Sequence, residues 1–401
     1  MLNILTFSTL YPNAVEPHHG IFTETSLCQQ LRHYDVHSIV VAPVPLFPLR
    51  ARMFGRYAGY ARVPHEEVRK DVRVLHPRYL HLPGIGMYVA PWSLFHAARR
   101  AIDGLLAQGH SFEVIDAHYF YPDGVAAIML GRHYGVPVII SALGSDITLL
   151  PRHAWPRRLI RQSAEQAHAM ISVCEDLRQN MIRLGLPGDR IHALRNGVDL
   201  ELFYPEPYAA ARTALGIDGF TLLSVGHLIE RKGHDKVIAA LPRLPDVRLV
   251  IVGDGPERNQ LIDLCRRLGV QDRVRFAGLL DQQQLRTCYS AADALVLASN
   301  REGWANVLLE AMACGAPALA SDVGGTAEVV RGHAAGILLQ DNSAAGVVDA
   351  VRRLRENPPS REATCAHARQ HSWHATTYAQ LKLFAGAAGL PPDHVLKRPA
   401  A

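Results

Sequence analysis

At 401 residues the chain is long enough for two domains of ordinary size, each with its own core. Its 48% apolar and 20% charged residues are the composition of a soluble globular protein, and no apolar run approaches bilayer-spanning length. A net charge of +5 is too small to argue for nucleic acid, and six cysteines without a CxxC pair leave zinc and redox motifs unsupported. The scattered thiols fit a reducing cytoplasm, and the start, MLNILTF, lacks a basic region and reads as a strand, not a signal peptide.

In chain order, Leu2 to Phe7 is a predicted strand, and Pro12 to Gly20 a loop before a helix from about Phe22 to His33. Gly20 is where backbone could approach a ligand closely, or where the chain simply turns. Ser38 to Ala42 is the second strand, and Val44 to His81 reads as irregular, rich in Arg, Pro and aromatics. Residues 45–62 carry Arg50, Arg52, Arg56 and Arg62 among Phe47, Phe54, Tyr57 and Tyr60, with no acid. A helix follows from Trp92 to Leu106, then a strand, Val114 to Ala117, that ends at His118. Asp123 is placed to cap the next helix. Pro137 to Ser141 is a strand with Asp146 in the loop after it, Pro156 to Ala167 a helix, and Ala169 to Val173 and Arg190 to Leu194 further strands. A second acid-free stretch, 152–161, holds Arg152, Arg157, Arg158 and Arg161 beside Trp155.

Pro205 to Pro207 breaks the composition, and the linker is expected there. The second half restarts the alternation with strands at Phe220 to Val225, Val247 to Val252, Val274 to Ala277, Ala294 to Ala298, Pro317 to Ser321 and Gly336 to Leu339. Between the first of these and its helix lie Gly226, His227, Arg231 and Lys232, and a lysine ammonium suits a point contact with phosphate. Gly253-Asp254-Gly255-Pro256 invites a dinucleotide reading, but Arg258 occupies the third glycine position, which argues against a nicotinamide dehydrogenase. After Ala298 comes a polar loop with Glu302, then a helix from Val307 to Ala313 that contains Glu310. Ligands of open α/β sheets bind outside the carboxyl ends of the strands, and a helix's first turn offers free N–H groups to phosphate. Two carboxylates at this spacing could grip two parts of one ligand.

Glu302-Gly303-Trp304-Ala305-Asn306-Val307-Leu308-Leu309-Glu310 resembles the E-x7-E motif of family 4 retaining nucleotide-sugar glycosyltransferases, which have the GT-B fold. The resemblance extends to the segments at Gly20, His118, Asp146 and Asn196-Gly197-Val198-Asp199, to Gly226–Gly233, Gly253–Pro256 and Val323–Glu328, and covers roughly residues 1–385. It implies two doubly wound Rossmann-like α/β domains facing across a cleft: 1–203 on the acceptor side, 208–372 binding the nucleotide sugar, with helix 373–386 crossing back onto the first. Glu302 would approach the donor sugar, Glu310 the ribose hydroxyls, and Lys232 with Arg231 the diphosphate. His227 stands where the family has Arg, a departure that weakens fixed positive charge there unless Arg231 compensates or the imidazole is protonated. The Gly303–Val307 backbone would hold sugar and phosphate, Gly253 and Gly226 would line the donor site, and Gly278 and Leu279 would seat the base. His118 would face the reacting sugar, with Asp146, Asn196 and Gly197 on the acceptor side.

The function so implied is retaining hexosyl transfer to a hydroxyl, expected on a lipid-linked saccharide in cell-surface glycan synthesis, without cofactor or required metal. Both basic stretches are expected to hold a cytoplasmic, peripheral protein at the inner membrane leaflet. A GT-B sugar-nucleotide epimerase and a non-catalytic nucleotide-sugar-binding protein are the alternatives.

Overall fold

A computed structural model describes residues 1–46, 59–81 and 86–396. Phe47, Arg50, Arg52, Phe54, Arg56 and Tyr57 of the first basic stretch lie outside the described residues. The chain divides into two compact units, Met1–Leu194 with His374–Ala401, and Arg195–Trp373.

The first unit contains strands β1 (Leu2–Phe7), β2 (Val36–Val41), β3 (Val44–Pro45), β4 (Glu66–Arg69), β5 (Val72–Leu75), β6 (Arg78–Tyr79), β7 (Val114–His118), β8 (Val138–Ala142), β9 (Ala169–Ser172) and β10 (Ile191–Ala193). Eight form one sheet in the order β10-β9-β8-β7-β1-β2-β5-β4, parallel except for the β4–β5 pair. Leu2 faces Val36 and Ile4 faces Val114 across the central strands. These strands are nearly continuous apolar runs because helices cover both faces of a parallel sheet. The winding reverses between β1 and β7, so the crevice of this unit lies at the ends of those two strands.

The stretch Val44–His81, expected to be irregular, instead supplies the sheet's last two strands. Arg69 pairs with Val72, and Lys70 and Asp71 between them have φ of 46° and 65°. That is a two-residue hairpin turn built without the Asn-Gly that signals one. The helix Trp373–Ala387 supplies Leu381, Phe384 and Ala385 to the core around Leu2, Ile4, Val114 and Ile139.

The second unit is a six-stranded parallel sheet of β11 (Phe220–Val225), β12 (Val247–Val252), β13 (Val274–Gly278), β14 (Ala294–Leu297), β15 (Ala318–Ser321) and β16 (Gly336–Leu339). The order is β13-β12-β11-β14-β15-β16, and the winding reverses between β11 and β14, where Leu222 faces Ala294. Its core joins Leu222, Leu249 and Val296 to helix residues such as Val237, Leu261 and Val351. The chain divides after Leu194, ahead of Pro205–Pro207. Arg195 is ion-paired with Glu328, and Val198 bonds to the His371 carbonyl, which ties the intervening segment to the second unit.

Candidate active site

The reversal between β11 and β14 brings together two loops seventy positions apart. Lys232 Nζ lies 2.7 Å from Glu302 Oε1, and Ser299 Oγ donates to the same oxygen at 2.7 Å. Arg231 donates to the Arg301 carbonyl at 2.8 Å and approaches Glu302 Oε2 at 3.4 Å. Glu302 is buried. Burial raises its carboxyl, but Lys232, Ser299 and Arg231 outweigh that and hold it below the ordinary carboxylate range. The carboxylate therefore stays ionised, aimed from the end of β14, with a cation already beside it.

Glycines permit the loops to close this tightly. A Cβ on Gly253 would lie 1.9 Å from the Gly226 carbonyl oxygen, and one on Gly324 would lie 2.0 Å from that of Glu302. Gly226 N–H donates to Val252 and Gly253 N–H to Gly278, so the ends of β11, β12 and β13 are laced in register. Gly278 turns with φ 74°, and Leu279 after it is exposed. Beneath the Lys232 loop, His234 is buried with Nδ1 2.9 Å from Ser224 Oγ. Burial, then the Lys232 charge, pushes its pKa down to about 4, so the ring is neutral. His227 gives Nδ1 to the Asp254 carbonyl at 2.6 Å, which leaves Nε2 for another partner.

Gly303 accepts from Gly325 N–H at 3.0 Å. Trp304 is buried with its indole N–H unpartnered among the described residues, and Ala305 is buried ahead of the helix Asn306–Ala313. Asn306 Oδ1 receives a long contact of 3.4 Å from Asn196, and Val307 is half-buried. A Cβ on Gly197 would meet the backbone N of Trp373 at 2.3 Å, so chain packing requires this glycine. Glu310 lies on the same helix, partly open at its surface, and accepts from the fully buried Tyr289 hydroxyl at 2.8 Å. Burial pushes the Glu310 carboxyl up to about 7 despite that bond.

In the first unit, Gly20 has φ 68°, and a Cβ there would strike the Leu10 carbonyl at 2.2 Å. Its close approach is thus to its own loop. His118 is buried at the end of β7 with Nε2 2.9 Å from Asp116 Oδ2. Asp146 is fully buried and accepts N–H groups of Phe120, Leu143 and Gly144, at 2.7 Å from the last, so its carboxylate is engaged in joining the loops after β7 and β8. Asp123 does not cap the following helix. It takes the N–H and hydroxyl of Thr9 in the loop after β1, because it is buried against that loop. Burial pushes its carboxyl up to about 7, with Thr9 opposing.

Arg152, Arg157, Arg158 and Arg161 are exposed, and none is ion-paired among the described residues. Trp155 stacks on Trp92 with centroids 6.2 Å apart, both partly exposed. Among the described residues no cluster of His, Cys, Asp or Glu could hold a metal ion, and no helix is long and apolar enough to cross a membrane. Sequence reasoning missed Ser299, Tyr289 and Asp116. Ser299, three residues before Glu302, and Asp116, two before His118 on one strand, had a local signal; Tyr289 had none.

Residues 25–202 match the family described as Glycosyltransferase Family 4, and residues 210–371 match Glycosyl transferases group 1. The chain is 27% identical over 359 residues to the putative teichuronic acid biosynthesis glycosyltransferase TuaC of Bacillus subtilis, spanning 88% of this chain and 89% of that one. It is 34% identical over 301 residues to the D-inositol 3-phosphate glycosyltransferase of Mycobacterium leprae, spanning 69% and 70%. The crystal structure of Anabaena HepE in complex with UDP shares the fold, with a TM-score of 0.71 at 18% identity over 96% of this chain and 100% of that one.

Proposed function

Because the chain belongs to the family 4 glycosyltransferases of the GT-B fold and takes a nucleotide-sugar donor, we propose that it transfers a hexose to a hydroxyl acceptor with retained anomeric configuration. The observation that carries this reading is the Lys232–Glu302 pair at the winding reversal of the second unit, one helix from Glu310. A buried carboxylate kept ionised beside a cation offers both charges to a sugar diphosphate: the ammonium to the phosphate, the carboxylate to the sugar. Arg231, and the Nε2 of His227 when the imidazole is protonated, add donors for the diphosphate, backbone N–H groups at Gly303–Val307 hold sugar and phosphate, and Glu310 takes the ribose hydroxyls. His118 contacts the reacting sugar. The bond from the anomeric carbon to the phosphate oxygen breaks, the acceptor oxygen bonds that carbon on the same face, and its proton goes to the departing phosphate. The reaction proceeds without a divalent ion.

The acceptor in this reading is a lipid-linked saccharide at the inner face of the membrane. The exposed, unpaired arginines of 152–161 beside the Trp92–Trp155 stack support it, since each basic residue near an anionic surface contributes about 1 kcal/mol. Inositol phosphate, named for the mycobacterial relative, is the soluble counterpart, and the same arginines suit its phosphate. Incubation with nucleotide hexoses and extracted polyprenyl-linked saccharides, in the presence of a chelator, tests the proposal. Hexose should appear on the lipid-linked acceptor with the donor's anomeric configuration. Inverted product, transfer only when divalent ion is supplied, or exclusive use of a soluble acceptor would contradict it.

A further inference from the structure

Successive side chains of a strand alternate, so Asp116 and His118 stand on the same face of β7. Both are buried, at 1% and 5% exposure, and the one hydrogen bond their side chains make among the described residues is the 2.9 Å bond between Asp116 Oδ2 and His118 Nε2. The other carboxylate oxygen, Asp116 Oδ1, is buried with no partner among the described residues. Every other position of this strand before His118 is apolar and buried. An acid there, with half of its acceptor capacity unmet, is costly, and an apolar residue of similar size would serve the core better. Stability therefore does not account for it.

A carboxylate can only accept, so this bond requires the imidazole to carry hydrogen on Nε2. Nδ1 makes no hydrogen bond to the described protein. We infer that Asp116 is a positioning residue for His118, fixing the proton on Nε2 and the orientation of the ring so that Nδ1 is presented to a hydroxyl of the sugar substrate at the end of β7. The inference rests on the transferase reading above and adds a consequence for specificity. A site built to bond a hydroxyl discriminates strongly against an analogue that lacks it.

The test uses the full-length chain with ¹⁵N-labelled histidine, in which His118→Gln identifies the His118 signals. In the wild type, Nε2 should carry the proton and Nδ1 should have the shift of an unprotonated ring nitrogen. Asp116→Ala should spread the proton over both nitrogens and lower kcat about a hundredfold, as a misplaced reacting group does, with the donor KM little changed. Asp116→Asn, whose amide oxygen still accepts, should restore the tautomer and most of the rate. Asp116→Leu, which fills the volume without accepting, replaces the alanine variant if that one does not fold. An unchanged His118 tautomer in Asp116→Ala or Asp116→Leu overturns the inference, and so does a rate loss of equal size in Asp116→Asn. A chain with the fixed, Asp116-dependent tautomer that transfers no sugar overturns the transferase reading instead and leaves the role of Asp116 standing.

Discussion

Glu302 and Asp123 are both buried acids at the carboxyl ends of parallel sheets, yet their surroundings push them in opposite directions. Glu302, in the second unit, sits among Lys232, Arg231 and Ser299 and is held below the ordinary carboxylate range. Asp123, in the first, takes the N–H and hydroxyl of Thr9 and, among the described residues, no cation, and burial pushes it up to about 7. Asp146 beside it is raised too, by burial, against the backbone N–H groups of Phe120, Gly144, Leu143 and its own residue. A carboxylate surrounded by cations keeps its charge and can act on a ligand. One surrounded by backbone joins loops, and its charge is incidental to that.

The comparison breaks most directly at Glu302. Glu302→Gln should slow transfer by roughly a hundredfold or more, as for loss of a preorganised transition-state contact, while nucleotide affinity stays near that of the wild type. Steady-state kinetics with a parallel binding measurement decides it, and a mild effect on both quantities would make Glu302 another architectural acid. Asp123→Asn should leave turnover largely intact, because the amide oxygen can still accept from Thr9.

The next effect concerns stability against pH. The Glu310 carboxyl ionises near 4.5 when unfolded and near 7 when folded, and Asp123 near 3.8 and near 7. Between these values the unfolded chain loses protons that the folded chain keeps, so stability is greatest at the acid end and falls as pH rises towards 7. Glu310→Gln and Asp123→Asn should each flatten that decline in melting temperature measured without ligand. Glu302→Gln should act below about pH 4.5 instead, removing stability that the wild type loses there as pH falls, because a depressed pKa contributes stability above the unfolded value. A slope that none of the three alters would contradict the contrast.

Much of this was legible in the sequence. Strands β1, β11, β12 and β16 have the expected bounds, because buried parallel strands leave short apolar runs between turn residues. Lys232 and Glu302 were singled out separately from their motifs at strand ends, and their direct pairing emerges only because β11 and β14 are neighbours. The hairpin Glu66–Leu75 was hidden by its Lys70-Asp71 turn and by an exposed Val68 that blurs the alternation. Asp123 was misassigned because a cap is read from the adjacent helix, whereas its partner, Thr9, comes from another loop. Tyr289 was invisible for the same reason: a buried hydroxyl is defined by what tertiary packing sets beside it, whereas Asp116 stood two residues before His118 on one strand face and was overlooked.

Two smaller effects sharpen the account. His227→Arg should tighten donor binding at neutral pH and remove any dependence on pH between mildly acidic and mildly basic conditions, since a guanidinium keeps its charge throughout. Titrations of both proteins across that range check it, and a wild-type affinity independent of pH would remove His227 from the diphosphate. Changing Arg152, Arg157, Arg158 and Arg161 together to Ser should reduce co-sedimentation with anionic vesicles, and high salt should abolish it in the wild type. Wild-type protein that stays in the supernatant at low salt would separate these arginines from any membrane.

The central claim is that the second unit grips a nucleotide sugar through the residues after β11 and β14. A ligand that binds only the folded state raises its melting temperature by mass action. The direct measurement is the melting temperature of the wild type and of Glu310→Ala with UDP, GDP, ADP and their hexose conjugates in turn. One nucleotide should stabilise the wild type, its hexose conjugate should do so as well, and both shifts should shrink in Glu310→Ala. No shift with any of them, or equal shifts in the two proteins, would contradict the account.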